Sequence, residues 1–187
     1  MDQRDAVERA KRGDHDAFAD LIDGRLARLD AAARLILRDP ELARDAVQEA
    51  LIRAWRDLPG LRDPDRFEAW LHRLTVNACL DLARRRRRRA IEVAITPLDS
   101  PETPDVSGAL ADRELVDKAL AHLDPGHRAV VALHYLFGMS LPEVATTLRI
   151  PVGTAKSRLH YALAAMRTTV TTEPDPAQAR VPGGQVA

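Results

Sequence analysis

Apolar residues return at Phe67, Leu71, Leu74, Ala78 and Leu82, every three to four positions, which predicts one long helix with a single buried stripe. Start signals place two helices before it. Asp14 can cap a helix running to about Leu37, and Asp39 followed by Pro40 opens a second; after the break "LPGLRDP", Asp65 is expected to open the third. Three helices of this kind pack as one module over residues 1–90. From Ile91 to Gly108 the periodicity disappears into a proline-rich acidic stretch, read as a flexible linker over 91–108. Helices resume near Ala109 and run to about Ala121, and Asp124 with Pro125 starts another that ends at Gly138, a left-handed C-cap. Ser140 and Glu143 form a capping box for the short helix "LPEVATTL". A turn and then "PVGTAKSRLHYALAAMR" (151–167) complete a short helix, tight turn and longer helix, the helix-turn-helix pattern. The expected fold is all-α: two small helical domains joined by a flexible linker, the second (109–170) containing the helix-turn-helix, with a disordered tail over 171–187.

Composition supports helix over sheet, because Ala, Leu and Arg dominate and aromatics are few. Charge changes the picture more. The 28 basic and 28 acidic residues cancel, but residues 1–90 and 124–170 are each net positive while 91–123 is net negative, so two basic islands flank an acidic connector. The run Arg84–Arg89 is the strongest feature: six adjacent cations repel one another, and phosphate neutralisation is the usual compensation. Cys79 is the sole cysteine, which excludes an intramolecular disulfide. No apolar run approaches the ~20 residues of a membrane span, so a cytoplasmic protein without membrane insertion is expected. The six histidines have no metal-ligand spacing and no glycine-rich phosphate loop is present, so neither an enzyme nor a cofactor is expected.

Projected at ~100° per residue, Ala155, Leu159, Ala162 and Met166 form the packed face of the last helix. Ser157, His160, Tyr161 and Ala164 point the opposite way, Thr154 and Lys156 lie on the flanks, and Arg158 borders the buried edge within reach of a phosphate. Small polar groups with cations beside them suit a helix in a major groove, where bases are read at the centre and phosphates held at the sides. On the second long helix Val47, Leu51, Ala54 and Leu58 turn inward, leaving Asp45, Gln48, Ile52 and Trp55 on a separate face. On the third, Arg73, Asn77 and Arg84 form a line of donors along one flank that can follow a DNA strand.

These motifs, in this order, resemble an extracytoplasmic-function (group 4) sigma factor of bacterial RNA polymerase, in the sigma-70 family. "DAVQEALIRAW" (45–55) is similar to the family's clamp-binding helix, "RFEAWLHRLTVNACLDLARRRRRR" (66–89) to its melting and minus-10 helix, and "LDPGHRAVVALHYLFGMSLPEVATTLRIPVGTAKSRLHYALAAMR" (123–167) to its minus-35 reader. The resemblance implies a factor that directs core polymerase to promoters and assists their opening. Its polymerase contacts would be Asp45, Gln48, Glu49 and Ile52, facing the beta-prime clamp, with the beta subunit as a further contact. Minus-10 DNA would meet Arg62, Asp63, Arg73, Asn77, Arg84, Arg85, Arg87 and Arg88; minus-35 DNA would meet Thr154, Lys156, Ser157, Arg158, His160 and Tyr161. An anti-sigma factor is a further implied partner. The rival reading is a stand-alone helix-turn-helix regulator that never docks on polymerase, which leaves the clamp-like helix and the arginine run without a role. Three positions depart from the family pattern. Arg149 occupies a turn position where Gly is common, and Tyr161 and Leu163 stand where Arg is common. Tyr161→Arg is therefore expected to raise promoter affinity and steepen its salt dependence, checked by binding titrations at several salt concentrations.

Overall fold

A computed structural model of the chain describes residues 2–94, 120, 121 and 123–172. Every regular element among them is helical. Residues 120 and 121, at the end of the helix expected over 109–121, are helical; the rest of that helix and most of the linker and tail fall outside the described residues.

The amino-terminal module has four helices rather than three. α1 (Gln3–Lys11) starts at Asp2, whose side chain accepts from the Arg4 backbone N–H, and it buries Ala6, Val7 and Ala10. α2 (His15–Leu37) starts where Asp14 accepts the Ala17 N–H at 3.0 Å, and α3 (Pro40–Asp57) where Asp39 accepts the N–H groups of Glu41 and Leu42 at 3.1 Å. The long helix α4 (Phe67–Ala94) does not start at Asp65. A 3-10 turn, Pro64–Arg66, precedes it, and Asp63 is the residue that caps that turn. Asp65 instead accepts a hydrogen bond from Arg4, pinning α1 to the turn. α4 also continues past Ile91 to Ala94, shortening the connector at its start.

Phe67, Leu71 and Ala78 of the α4 stripe are buried, while Leu74 and Leu82 are half-buried. His72, Thr75, Val76 and Cys79 are buried as well, so the covered face is wider than one stripe. The extra cover includes the carboxy-terminal module, which packs on α2 and α4.

That module contains α5 (Pro125–Val131), continued by a π-helical segment Ala132–Leu136, then α6 (Leu141–Leu148) and α7 (Val152–Thr172). Gly138 takes φ +68° after the π-helical segment, as a left-handed stop requires. Glu143 accepts from both the backbone N–H (2.8 Å) and hydroxyl (2.6 Å) of Ser140, closing the capping box.

The two modules form one continuous core. Arg128 of α5 is only 7% exposed; its Nε donates to the Ile36 carbonyl at 2.7 Å, and its Nη1 donates to the carbonyls of Leu120 and Leu123. A guanidinium here caps the carboxy-terminal end of α2, where carbonyls lack helical partners and the helix dipole favours a cation. Burial lowers its pKa to about 10. Beside it, Phe137 stacks on His72 with centroids 3.7 Å apart and planes 10° from parallel.

Candidate polymerase and nucleic-acid interfaces

On α3, Asp45 and Gln48 are exposed and Ile52 is 60% exposed. A largely bare isoleucine beside an amide and a carboxylate is the composition of a helix face awaiting another helix. Trp55 is not part of that face in full. It is half-buried, stacked on His15 at 4.4 Å and edge-on to Phe18 at 5.1 Å, and so fills the local core. Glu49 is half-buried and pairs with Arg53 on its own helix and with Arg85 at 3.2 Å on α4. Burial pushes its carboxyl up, but those two guanidinium groups outweigh burial and hold it below the usual carboxylate range.

The arginine run divides into two halves. Arg84 pairs with Asp81 at 3.1 Å, Arg85 with Glu49, and Arg86 with Asp39 at 2.9 Å. Arg85 and Arg86 therefore brace α4 against α3 and the α2–α3 corner, while the Arg84 pair stays within α4. Arg87, Arg88 and Arg89 are exposed with no acidic partner among the described residues. Glu49, Arg53, Asp81, Arg84, Arg85 and Arg88 line an open groove of about 300 Å³ between α3 and α4. Arg73 is exposed and Asn77 half-buried on the same helix, and Arg62 is exposed in the preceding loop. Asp63 is committed in part to local structure, capping the 3-10 turn and pairing with Arg66 at 3.3 Å. Trp70 is half-buried against Phe67.

On α7, Ala155, Leu159 and Ala162 are buried and Met166 half-buried, while Lys156, Ser157, His160 and Tyr161 are exposed. Ala164, expected on the outward face, is half-buried. Thr154 and Arg158 are half-buried at the flanks. Arg158 is drawn back against the first turn of α5: a Cβ built on Gly126 would lie 3.2 Å from its Nη1. Cys79 is buried in α4, with its thiol pushed up to about 12 by desolvation, which makes it an inert core residue.

The pattern of Sigma-70 region 2 matches residues 21–89 and that of Sigma-70, region 4 matches residues 113–166. Over 153 residues the chain is 40% identical to the ECF RNA polymerase sigma factor SigL of Mycobacterium tuberculosis, covering 80% of this chain and 86% of that one. The chain belongs to the ECF sigma factors of the sigma-70 family. It is 30% identical to SigW of Bacillus subtilis over 173 residues, covering 86% of this chain and 92% of the relative. Among solved structures, CnrH in complex with the cytosolic domain of CnrY is similar at a TM-score of 0.65 and 30% identity, over 92% of this chain and 99% of that one.

Against this family background the left-handed turn between α6 and α7 is costly. Arg149 sits at φ 54°, ψ 47°, where a side chain costs on the order of 1 kcal/mol relative to glycine. Arg149→Gly is expected to raise the melting temperature by roughly 2–4 °C, measured by thermal unfolding.

Sequence reasoning did not find Arg128, His72 or the pairing of Arg84–Arg86. Arg128, His72, Arg85 and Arg86 act through residues far away in the chain; only Arg84 has a near partner, Asp81 three positions before it.

Proposed function

We propose that this chain is a group 4 sigma factor that brings core RNA polymerase to specific promoters and helps open them, acting in the cytoplasm and performing no chemical step of its own. Residues 1–90 dock on the beta-prime clamp through Asp45, Gln48, Glu49 and Ile52. The same module captures minus-10 DNA through Arg62, Asp63, Arg73, Asn77 and the arginines at 84, 85, 87 and 88. Residues 109–170 read the minus-35 element with Thr154, Lys156, Ser157, Arg158, His160 and Tyr161. The acidic connector lies in the nucleic-acid path, and an anti-sigma factor holds the protein in check.

The observation that carries this reading is the pairing, within one module, of a bare Ile52–Gln48–Asp45 face with an arginine-lined helix beside it. A stand-alone DNA-binding regulator has no use for the first of these. The experiment is run-off transcription with purified core polymerase and a promoter fragment selected by the assembled holoenzyme. Promoter-specific transcripts are expected from the wild type. Ile52→Glu is expected to lower core affinity at least tenfold while leaving the folded chain intact, because the side chain is already largely in water. Absence of any promoter-specific transcript, with duplex binding retained, would support the stand-alone regulator instead.

A further inference from the structure

The outward face of α7 is supported from a second helix. His127, in the first turn of α5, lies with its ring centroid 4.9 Å from that of Tyr161, the planes tilted by 45°. His127 is itself held twice by one residue, once through its ring and once through its backbone. Its Nδ1 is 2.7 Å from Asp124 Oδ2, and its backbone N–H donates to Asp124 Oδ1 at 2.9 Å. Gly126 completes the arrangement, because a Cβ there would meet Asp124 Oδ1 at 3.1 Å and Arg158 Nη1 at 3.2 Å. The first turn of α5 is thus a bracket that carries Arg158 and Tyr161, three positions apart on the reading helix.

Tyr161 is 56% exposed, so one side of the phenol rests on the bracket and the other is free. An exposed aromatic without support loses rotamer freedom when it docks, which weakens and blurs recognition; a ring already held avoids that loss. The phenol has one donor and acceptor capacity, which suits a base edge in the major groove, and it cannot replace an arginine as a phosphate clamp. We propose that His127, anchored by Asp124, is a positioning residue that fixes Tyr161 to discriminate one base pair of the upstream promoter element. This rests on α7 being the minus-35 reader.

The test uses the full-length protein assembled with core polymerase, selecting from promoter fragments randomised across the upstream element, followed by binding titrations in increasing salt. His127→Ala flattens the preference at one base pair at least fivefold, leaving the other positions and the salt slope unchanged. His127→Phe, which keeps a ring against Tyr161 but loses the bond to Asp124, gives an intermediate loss and guards against misfolding of the alanine variant. In a Tyr161→Ala background, His127→Ala adds nothing, because the residue acts only through the phenol. An equal loss without Tyr161, or a uniform loss at every base pair, overturns the positioning role. If Tyr161→Ala and Lys156→Ala shift the preference while His127→Ala does not, only this proposal fails. If none of the three shifts it, the assignment of α7 as reader fails with it.

Discussion

Replacing Arg87, Arg88 and Arg89 together by glutamine is expected to lower holoenzyme affinity for promoter DNA by about 10²–10³ at 0.1 M salt. Each duplex phosphate neutralised contributes about 0.9 to the slope of log affinity against log salt. Three contacts therefore amount to about 2.7 in slope, and to about 2.7 decades of affinity at a tenth molar. The structure says why these three and not the whole run. Arg84, Arg85 and Arg86 are already committed to Asp81, Glu49 and Asp39, and their carboxylate partners must be displaced before a phosphate can take their place. Replacing Arg84–Arg86 is accordingly expected to change the salt slope by less than half as much. It should also reduce folding stability modestly, since exposed pairs contribute roughly 0.2–1 kcal/mol each. Equal slopes for the two triple variants, measured by filter binding or fluorescence over a salt series, would show that the ion pairs do not divide the run.

The division of that run marks the boundary of what the sequence made legible. Caps and local turns were readable because their partners lie within three residues. Asp14, Asp39, Asp124 and the Ser140–Glu143 box all stand where side-chain chemistry placed them. The buried and outward faces of α7 were readable because one periodicity controls both, and only Ala164 departs. α1 was missed because Ala6, Val7 and Ala10 are small residues in a charged window, and their periodicity carries little hydrophobic signal. Asp65 looked like a cap but serves Arg4, sixty-one positions earlier. Arg128 was invisible for a different reason. Its main partner is a backbone carbonyl 92 residues away, and every residue has a carbonyl, so no side-chain pattern records the contact. The proposed minus-10 and polymerase residues were placed by resemblance. The structure adds their exposure and pairing: Ile52 and Arg73 stand free in solvent, while Glu49 and Asp63 are partly occupied by neighbouring arginines.

Arg128→Met and Phe137→Ala are expected to separate the two modules, and acid is expected to do the same. Promoter elements centred about 25 base pairs apart lie about 85 Å from each other along B-form DNA at 3.4 Å per step. A packed body of this size has a radius of gyration of only about 15 Å. On the proposed assignment of one module to each element, one closed body cannot sit on both, so engagement of a promoter requires the α2–α5 and α4–Phe137 contacts to part. Removing Arg128 leaves the Ile36 carbonyl without its charged donor, and such bonds contribute about 1.5–3 kcal/mol, which is roughly ten- to a hundredfold in the ratio of packed to open. His72 adds a pH dependence. Desolvation first, and then the charges of Arg28 and Arg25 on α2, lower its pKa to about 4, although Glu68 lies 3.8 Å away on α4 and Phe137 covers the ring from the other module. Uncovered, the imidazole returns toward 6.5, so the open state binds a proton that the packed state excludes. Packing is therefore favoured above pH 6.5 and weakens as pH falls from 6.5 toward 4. Between pH 7.5 and 5.5 the packed-to-open ratio is expected to fall by at most about tenfold, because Arg28 and Arg25 stay beside His72 when the modules part. His72 Nε2 is buried without a hydrogen-bond partner, a further cost that the closed state alone bears. X-ray scattering of the full chain should show a larger radius of gyration for both variants at pH 7.5, and for the wild type at pH 5.5. His72→Phe should abolish the pH response while keeping the stack. A radius unchanged by either substitution and by acid would mean that Arg128 and His72 do not hold the modules together.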